Sequence, residues 1–141
     1  MQEHSAHCLC GKVSFRIHGE IRDVVSCHCR QCQVSHGHFP GYTAAPWPSI
    51  EPAPTDDVAW YRSSDTARRG FCRHCGSSLF WDPSHGRYVA INAGLLDMPT
   101  GLINEKHIVT DANGDYYRIP EGMACAPASG SAKPAFDKSA T

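Results

Sequence analysis

The sequence predicts a single all-β domain, on three observations. Short β-like segments recur along the chain, and none shows a sustained helical period. Turn residues such as Gly19-Glu20, Asp82-Pro83 and Asn113-Gly114 separate them. Seven of the eight cysteines fall into three tight clusters, Cys8/Cys10, Cys27/Cys29/Cys32 and Cys72/Cys75, a pattern that staples short strands through metal.

Taken in order, residues 12–17 alternate polar and apolar, so Val13, Phe15 and Ile17 share one face of a strand. Val24 and Val25 begin a second extended run that leads into Cys27-His28-Cys29-Arg30-Gln31-Cys32. In an extended segment Cys27 and Cys29 point to one side and His28 to the other, so His28 is a poor ligand for the same metal. Gly37 and Gly41 break any long helix after Cys32, and one helical turn fits residues 31–36. Residues 44–57 carry Pro46, Pro48, Pro52 and Pro54 and read as a surface loop or edge segment.

A β pattern resumes at residues 60–62 and turns at 63–65. Residues 78–81 and 87–92 read as strands. Residues 107–110 and 116–119, flanking Asn113-Gly114, read as a hairpin, because Asn-Gly suits the turn's positive φ angles. From Glu121 the chain is rich in Ala, Ser, Pro and Gly. The expected organisation is therefore a zinc-binding domain over 1–120 and a disordered tail over 121–141, with Cys125 a bystander thiol.

At 141 residues the chain suits one domain, and its hydrophobic fraction of 41% implies a thin core that metal sites would help offset. Thirteen basic and 14 acidic residues give a net charge of −1, which argues against nucleic acid and anionic membranes as partners. The first seven residues lack the apolar stretch of a secretory signal, and no window approaches a membrane span. A cytoplasmic, reducing location follows as the expectation, and there cysteine clusters are metal ligands rather than disulfides.

Cys8-x-Cys10-Gly11 and Cys72-x-x-Cys75-Gly76 both end in glycine, which lets the backbone turn so that its amide donates to a thiolate. Together they make one four-thiolate zinc site, a structural staple. Cys27, Cys29 and Cys32 supply three ligands and leave a position open, the pattern of a catalytic zinc. The alternative is a second structural site closed by His36, His38 or Cys125. Three thiolates already place negative charge on the metal, so a soft substrate sulfur matches the open position better than hydrolytic water. His36 or His38 could carry the proton that moves when a thiol adds to an aldehyde; with Ser35, they could equally be exposed loop residues. Arg68 and Arg69 could receive a substrate carboxylate or serve as surface charge.

Along the motifs Cys8-x-Cys10-Gly11-x-Val13-x-Phe15, Cys27-His28-Cys29-x-x-Cys32, Gly37-His38, Tyr61-x-Ser63-Ser64, Arg69-Gly70-Phe71-Cys72-x-x-Cys75-Gly76-Ser77-x-Leu79-Phe80 and Ala93-Gly94-x-Leu96-Asp97, a family pattern emerges. The chain resembles the glutathione-dependent formaldehyde-activating family, which includes the centromere protein V-like domains. The resemblance runs from about residue 7 to 119. It implies a tent-like fold of small coiled antiparallel sheets, with Cys8, Cys10, Cys72 and Cys75 on a structural zinc and Cys27, Cys29 and Cys32 on a catalytic one. The activity it implies is reversible condensation of glutathione with formaldehyde to S-hydroxymethylglutathione, a carbon–sulfur lyase reaction serving aldehyde detoxification. Two departures stand out: the chain lacks an obvious extra glutathione-binding segment, and His36 stands where a small hydroxyl residue is more usual.

The leading expectation is thus a zinc-dependent lyase or synthase acting on a small-molecule thiol–aldehyde adduct. A non-catalytic, zinc-stabilised binding module competes with it, but Lys133 and Lys138 alone give the tail too little positive charge for chromatin or microtubules. A third class, redox sensing through the trio, would need easily lost zinc and disulfide formation in its place.

Overall fold

The structure, a computed structural model, describes residues 2–84 and 86–127. Among the described residues eleven strands and one short helix follow in the order β1 (Glu3–His7), β2 (Ser14–His18), β3 (Val24–Cys27), α1 (Arg30–His36), β4 (Gly41–Pro46), β5 (Ile50–Glu51), β6 (Val58–Arg62), β7 (Arg68–Cys72), β8 (Ser78–Asp82), β9 (Tyr88–Asn92), β10 (Asn104–Ile108) and β11 (Ala124–Ala126). They form a three-stranded sheet, β1-β2-β5, and an eight-stranded sheet, β11-β10-β3-β4-β9-β8-β7-β6. The all-β expectation holds. Pairing is antiparallel except at one end, where β10 runs parallel to both β3 and β11. Among the described residues no helix is long and apolar enough to cross a membrane.

Val13, Phe15 and Ile17 are all buried, as their alternation requires, and meet Leu79, Phe80, Val89 and Ile91 of the larger sheet in one core. Phe15 and Phe80 rings lie 5.3 Å apart across the two sheets. Burial of such side chains stabilises by about 1.5–3 kcal/mol each relative to exposure.

Three expectations change. The first part of 44–57 is no surface loop: Ala44 and Ala45 belong to β4, which pairs with β3 and β9 in mid-sheet, and both are fully buried. The prolines fall after the paired interior, with Pro46 at the last position of the strand, where a missing N–H costs little. The edge reading holds for β5, which pairs with β2 alone.

The hairpin around Asn113-Gly114 does not form. Val109 takes a left-handed conformation at φ 54°, and the chain leaves β10 into a single turn of 3-10 helix, Thr110–Ala112. Tyr116 and Tyr117 then bond to side chains, His38 and His28, instead of pairing as a strand. Finally, β11 lies inside the stretch expected to be a tail. The remainder of that stretch, 128–141, lies outside the described residues.

Candidate metal centres and active site

Cys8 and Cys10 sit on the turn between β1 and β2, Cys72 ends β7, and Cys75 lies in the turn before β8. Their four sulfurs all lie within 4.8 Å of one another. Cys10 Sγ is 3.6 Å from Cys8 Sγ and 3.8 Å from Cys72 Sγ. A tetrahedron of sulfurs around zinc at about 2.3 Å has edges of about 3.8 Å, so the residues fit that metal.

The two turns share a design. Gly11 and Gly76 adopt φ 79° and 78°, and their amides donate to the Cys8 and Cys72 carbonyls at 3.2 and 2.9 Å. The glycine amides thus close the turns rather than reaching sulfur. Donors to sulfur come from the amides of Val13 to Cys8, and of His74 and Cys75 to Cys72, at 3.3–3.5 Å. Ser77 Oγ accepts from the Leu9 amide at 3.0 Å and lies 3.2 Å from Cys75 Sγ, joining one turn to the other. The cluster therefore staples the small sheet to the large one.

Cys27 ends β3, Cys29 caps α1, and Cys32 lies in the first turn of that helix. The Cys29 sulfur accepts from the Cys32 amide at 3.2 Å, so a thiol does the work usually given to Ser or Asp at a helix start. That cap, with left-handed Gly37 at the other end, extends the expected single turn to Arg30–His36. The three sulfurs lie within 4.8 Å of one another, and among the described residues no fourth Cys, His, Asp or Glu joins them. His28 faces away, as the period of two requires. It is fully buried, with Nδ1 2.7 Å from Tyr117 Oη and Nε2 2.7 Å from His107 Nδ1.

The trio opens on a cavity of about 300 Å³ lined by Arg22, Tyr42, Arg69, Trp81, Ile108 and Val109, with Arg69 and Trp81 side by side as cross-strand partners. Arg69 is the hub. It donates from Nε to Gln31 Oε1 at 2.9 Å, from Nη1 to Tyr42 Oη at 3.2 Å and from Nη2 to Cys32 Sγ at 3.5 Å. The Cys29 thiol is pulled far down by hydrogen bonds from Cys27 and Cys32, by the Cys32 amide and by the Arg69 charge. Burial pushes the Tyr42 hydroxyl well above its usual range.

A second cavity, about 240 Å³, lies behind Tyr42 and Arg69 and is lined by Ser35, His36 and Tyr61. His36 Nε2 sits 2.5 Å from Tyr42 Oη, and burial followed by the Arg69 charge lowers its pKa to about 4. The structure thus connects His36 to the trio through Tyr42 and Arg69. It does not bring His38 there. His38 lines neither cavity, and its Nδ1 bonds Tyr116 Oη at 2.6 Å. Of the two arginines, Arg68 is engaged elsewhere, 2.8 Å from Asp82 and stacked 3.8 Å over Trp60. Tyr42, Arg22 and Asn92 had no motif to mark them.

The sequence profile described as "Glutathione-dependent formaldehyde-activating enzyme" matches residues 3–112. A protein of Schizosaccharomyces pombe, named an uncharacterized lyase, is 27% identical over 119 residues, which cover 83% of this chain and 85% of that one. A crystal structure of a Rhodobacter sphaeroides protein matches with a TM-score of 0.56 at 21% identity, covering 67% of this chain and 88% of that one, a likeness of fold.

Proposed function

The chain belongs to the glutathione-dependent formaldehyde-activating enzyme family, and on that premise we propose that it is a zinc-dependent carbon–sulfur lyase acting reversibly on small-molecule thiol–aldehyde adducts. S-Hydroxymethylglutathione is the first adduct to test. In the forward direction a thiol adds across an aldehyde: the sulfur–carbon bond forms, the carbonyl π bond opens, and the thiol proton ends on the oxygen. The reverse is elimination. One observation carries the reading: three thiols, with no fourth ligand among the described residues, open on a cavity whose lining includes the Arg69 guanidinium.

Cys27, Cys29 and Cys32 would hold a catalytic zinc, and Cys8, Cys10, Cys72 and Cys75 a structural one. When bound at the trio, the metal supplies a Lewis-acidic open position for a substrate sulfur or oxygen. Arg69 balances the thiolate charge and, with three of its five N–H groups engaged, keeps two for a substrate carboxylate or oxygen. Trp81, Ile108 and Val109 give the cavity apolar lining beside the guanidinium. Of the two histidines expected near the chemistry, His36 alone reaches the site, where it touches Tyr42; with its pKa lowered to about 4 it is neutral near pH 7 and orients that hydroxyl instead of relaying a proton itself.

The test combines metal analysis with exchange NMR on glutathione and formaldehyde. Protein purified under reducing conditions should carry close to two zinc ions and accelerate adduct formation and breakdown alike. Cys29→Ser should keep one zinc and abolish the acceleration. Fully loaded protein that accelerates no thiol–aldehyde pair would overturn the reading in favour of a binding module.

A further inference from the structure

Behind the Tyr42 hydroxyl lies a chain of hydrogen bonds with a definite direction. Asn92, the last residue of β9, places Nδ2 3.2 Å from the Ser78 carbonyl oxygen and 3.4 Å from His36 Nδ1. A carbonyl oxygen only accepts, so it fixes which end of the Asn92 amide is NH2. The second N–H of that group then points at His36 Nδ1, which must accept. Burial and the Arg69 charge keep His36 neutral at pH 7, so its one proton sits on Nε2. That nitrogen is 2.5 Å from Tyr42 Oη and therefore donates to it. Arg69 Nη1 donates to the same oxygen at 3.2 Å. The phenol oxygen thus accepts twice, and its own proton has no acceptor among the described residues.

We propose that Asn92 and His36 are positioning residues that turn the Tyr42 hydroxyl proton outward, to donate to an oxygen of the ligand held in the cavity of the trio. The guanidinium sets the reach. One nitrogen of Arg69 is on Tyr42 Oη and the other is on Cys32 Sγ, so a ligand at the trio lies alongside this donor. In a thiol–aldehyde adduct the oxygen addressed is the carbonyl or hydroxyl oxygen, where negative charge grows as the sulfur–carbon bond forms. The alternative orientation, with Tyr42 donating to His36, is the one Asn92 prevents. The proposed role of the donor in turnover rests on the lyase reading; the hydrogen-bond direction does not.

The experiment uses the zinc-loaded full chain. Nitrogen-15 NMR of the histidine rings at pH 7 should find His36 protonated on Nε2 alone. In Asn92→Asp the carboxylate should draw the proton to Nδ1, leaving Nε2 to accept from Tyr42. Formamide, a neutral carbonyl probe, should bind about tenfold more weakly to Asn92→Asp and to Tyr42→Phe, and no more weakly still to the double variant. If the glutathione–formaldehyde reaction is catalysed, kcat should fall in each variant while KM stays within about twofold. His36 protonated on Nδ1 or on both nitrogens, additive losses, or unchanged formamide affinity in Asn92→Asp would overturn the proposal. Should Asn92→Asp not fold, His36→Gln, which keeps a donor toward Tyr42, should hold the affinity that His36→Leu loses; equal losses overturn it. Absence of turnover in the wild type would sink the lyase reading, while the NMR and formamide results still decide this one.

Discussion

Cys10 and Cys72 bring their sulfurs within 3.8 Å although they stand 62 positions apart in the chain. Between the turns that carry them run six strands, β2 to β7, drawn from both sheets, so a metal bound there closes a long loop. A structural zinc of this kind contributes on the order of 10 kcal/mol to folding. Typical domain stability is roughly 5–15 kcal/mol, so losing one ligand should remove most of it. Cys72→Ala is expected to be largely unfolded or insoluble, as read by circular dichroism and recovery after refolding. A cooperative melt within a few degrees of the wild type would show that the cluster holds no structural metal.

The trio should behave differently. Cys27, Cys29 and Cys32 span a short loop, and closing it removes little chain entropy. The loop is also held from behind without metal: Gln33 Nε2 bonds both the His28 and the Ala112 carbonyls at 2.8 Å. Cys29→Ala should therefore stay folded, with hydrogen exchange of the central strands unchanged, while losing one zinc of two and any catalysis. Loss of the helix cap should cost about 1 kcal/mol. Unfolding as complete as that of Cys72→Ala would make the trio structural.

What could be read in the sequence was what is locally determined. Chelating turns announce themselves because both ligands and the glycine fall within five residues, and Val13, Phe15 and Ile17 declare their face through period alone. β4 was hidden because Ala44 and Ala45 are buried by their neighbours rather than by any apolar size of their own. β7 was hidden because its charge is satisfied across strands, Arg68 by Asp82 and Trp60, and because Gly70 looks like a breaker. A Cβ at Gly70 would come within 2.9 Å of the Trp60 ring, so this glycine admits packing. The Asn113-Gly114 turn signal lost to long-range contacts, chiefly Tyr117 with His28. At the site, nearness in sequence misled for His38: the left-handed residue Gly37 ends the helix, and His38 meets Tyr116 instead of the cavity.

Acid should weaken the fold in a defined window. His36 has an ordinary pKa of 6.5 and one of about 4 in the fold, lowered by burial and then by Arg69. Between those values the unfolded chain binds the proton and the folded chain does not, so stability is full above about pH 6.5 and falls as pH drops toward 4. Buried His107, also lowered by burial, adds a loss of the same sign. Urea unfolding at pH 7.5 and pH 5 should show a larger decrease for the wild type than for His36→Gln; taking the difference removes the common effect of zinc release. Equal decreases would mean that His36 titrates alike in both states.

The guanidinium at the trio makes a prediction about substrate charge. Arg69 is less engaged than a fully satisfied arginine, with two N–H groups left after Gln31, Tyr42 and Cys32 are served. A hydrogen bond from a charged donor contributes about 1.5–3 kcal/mol, roughly ten- to 150-fold in kcat/KM. Arg69→Met should lower kcat/KM by that factor for a carboxylate-bearing thiol such as glutathione, and by clearly less for a neutral thiol such as 2-mercaptoethanol. Equal losses for the two thiols would leave Arg69 a partner of Cys32 and Tyr42 only.

The last prediction concerns β11. Ala124–Ala126 add a parallel strand to β10, in register from Lys106 with Ala124 to Ile108 with Ala126. Thr110 Oγ1 also donates to the Ala126 carbonyl at 3.3 Å. The strand is mostly exposed, so its contribution comes from a few backbone hydrogen bonds at about 0.5–1.5 kcal/mol each, offset by the entropy of ordering seven residues. β10 gains more than that count suggests, because β11 covers the edge that would otherwise end the sheet beside β3 and the trio. Two truncations separate the effects. A chain ending at Pro127 serves as the reference, and one ending at Pro120 should melt about 3–8 °C lower, a loss on the order of 1–2 kcal/mol. Its zinc content should hold at two, because the trio is reached from β3 and α1 and not from β11. Identical melting of the two chains would mean that β11 is no part of the folded sheet. Loss of the second zinc in the shorter chain alone would instead make Cys125 a ligand.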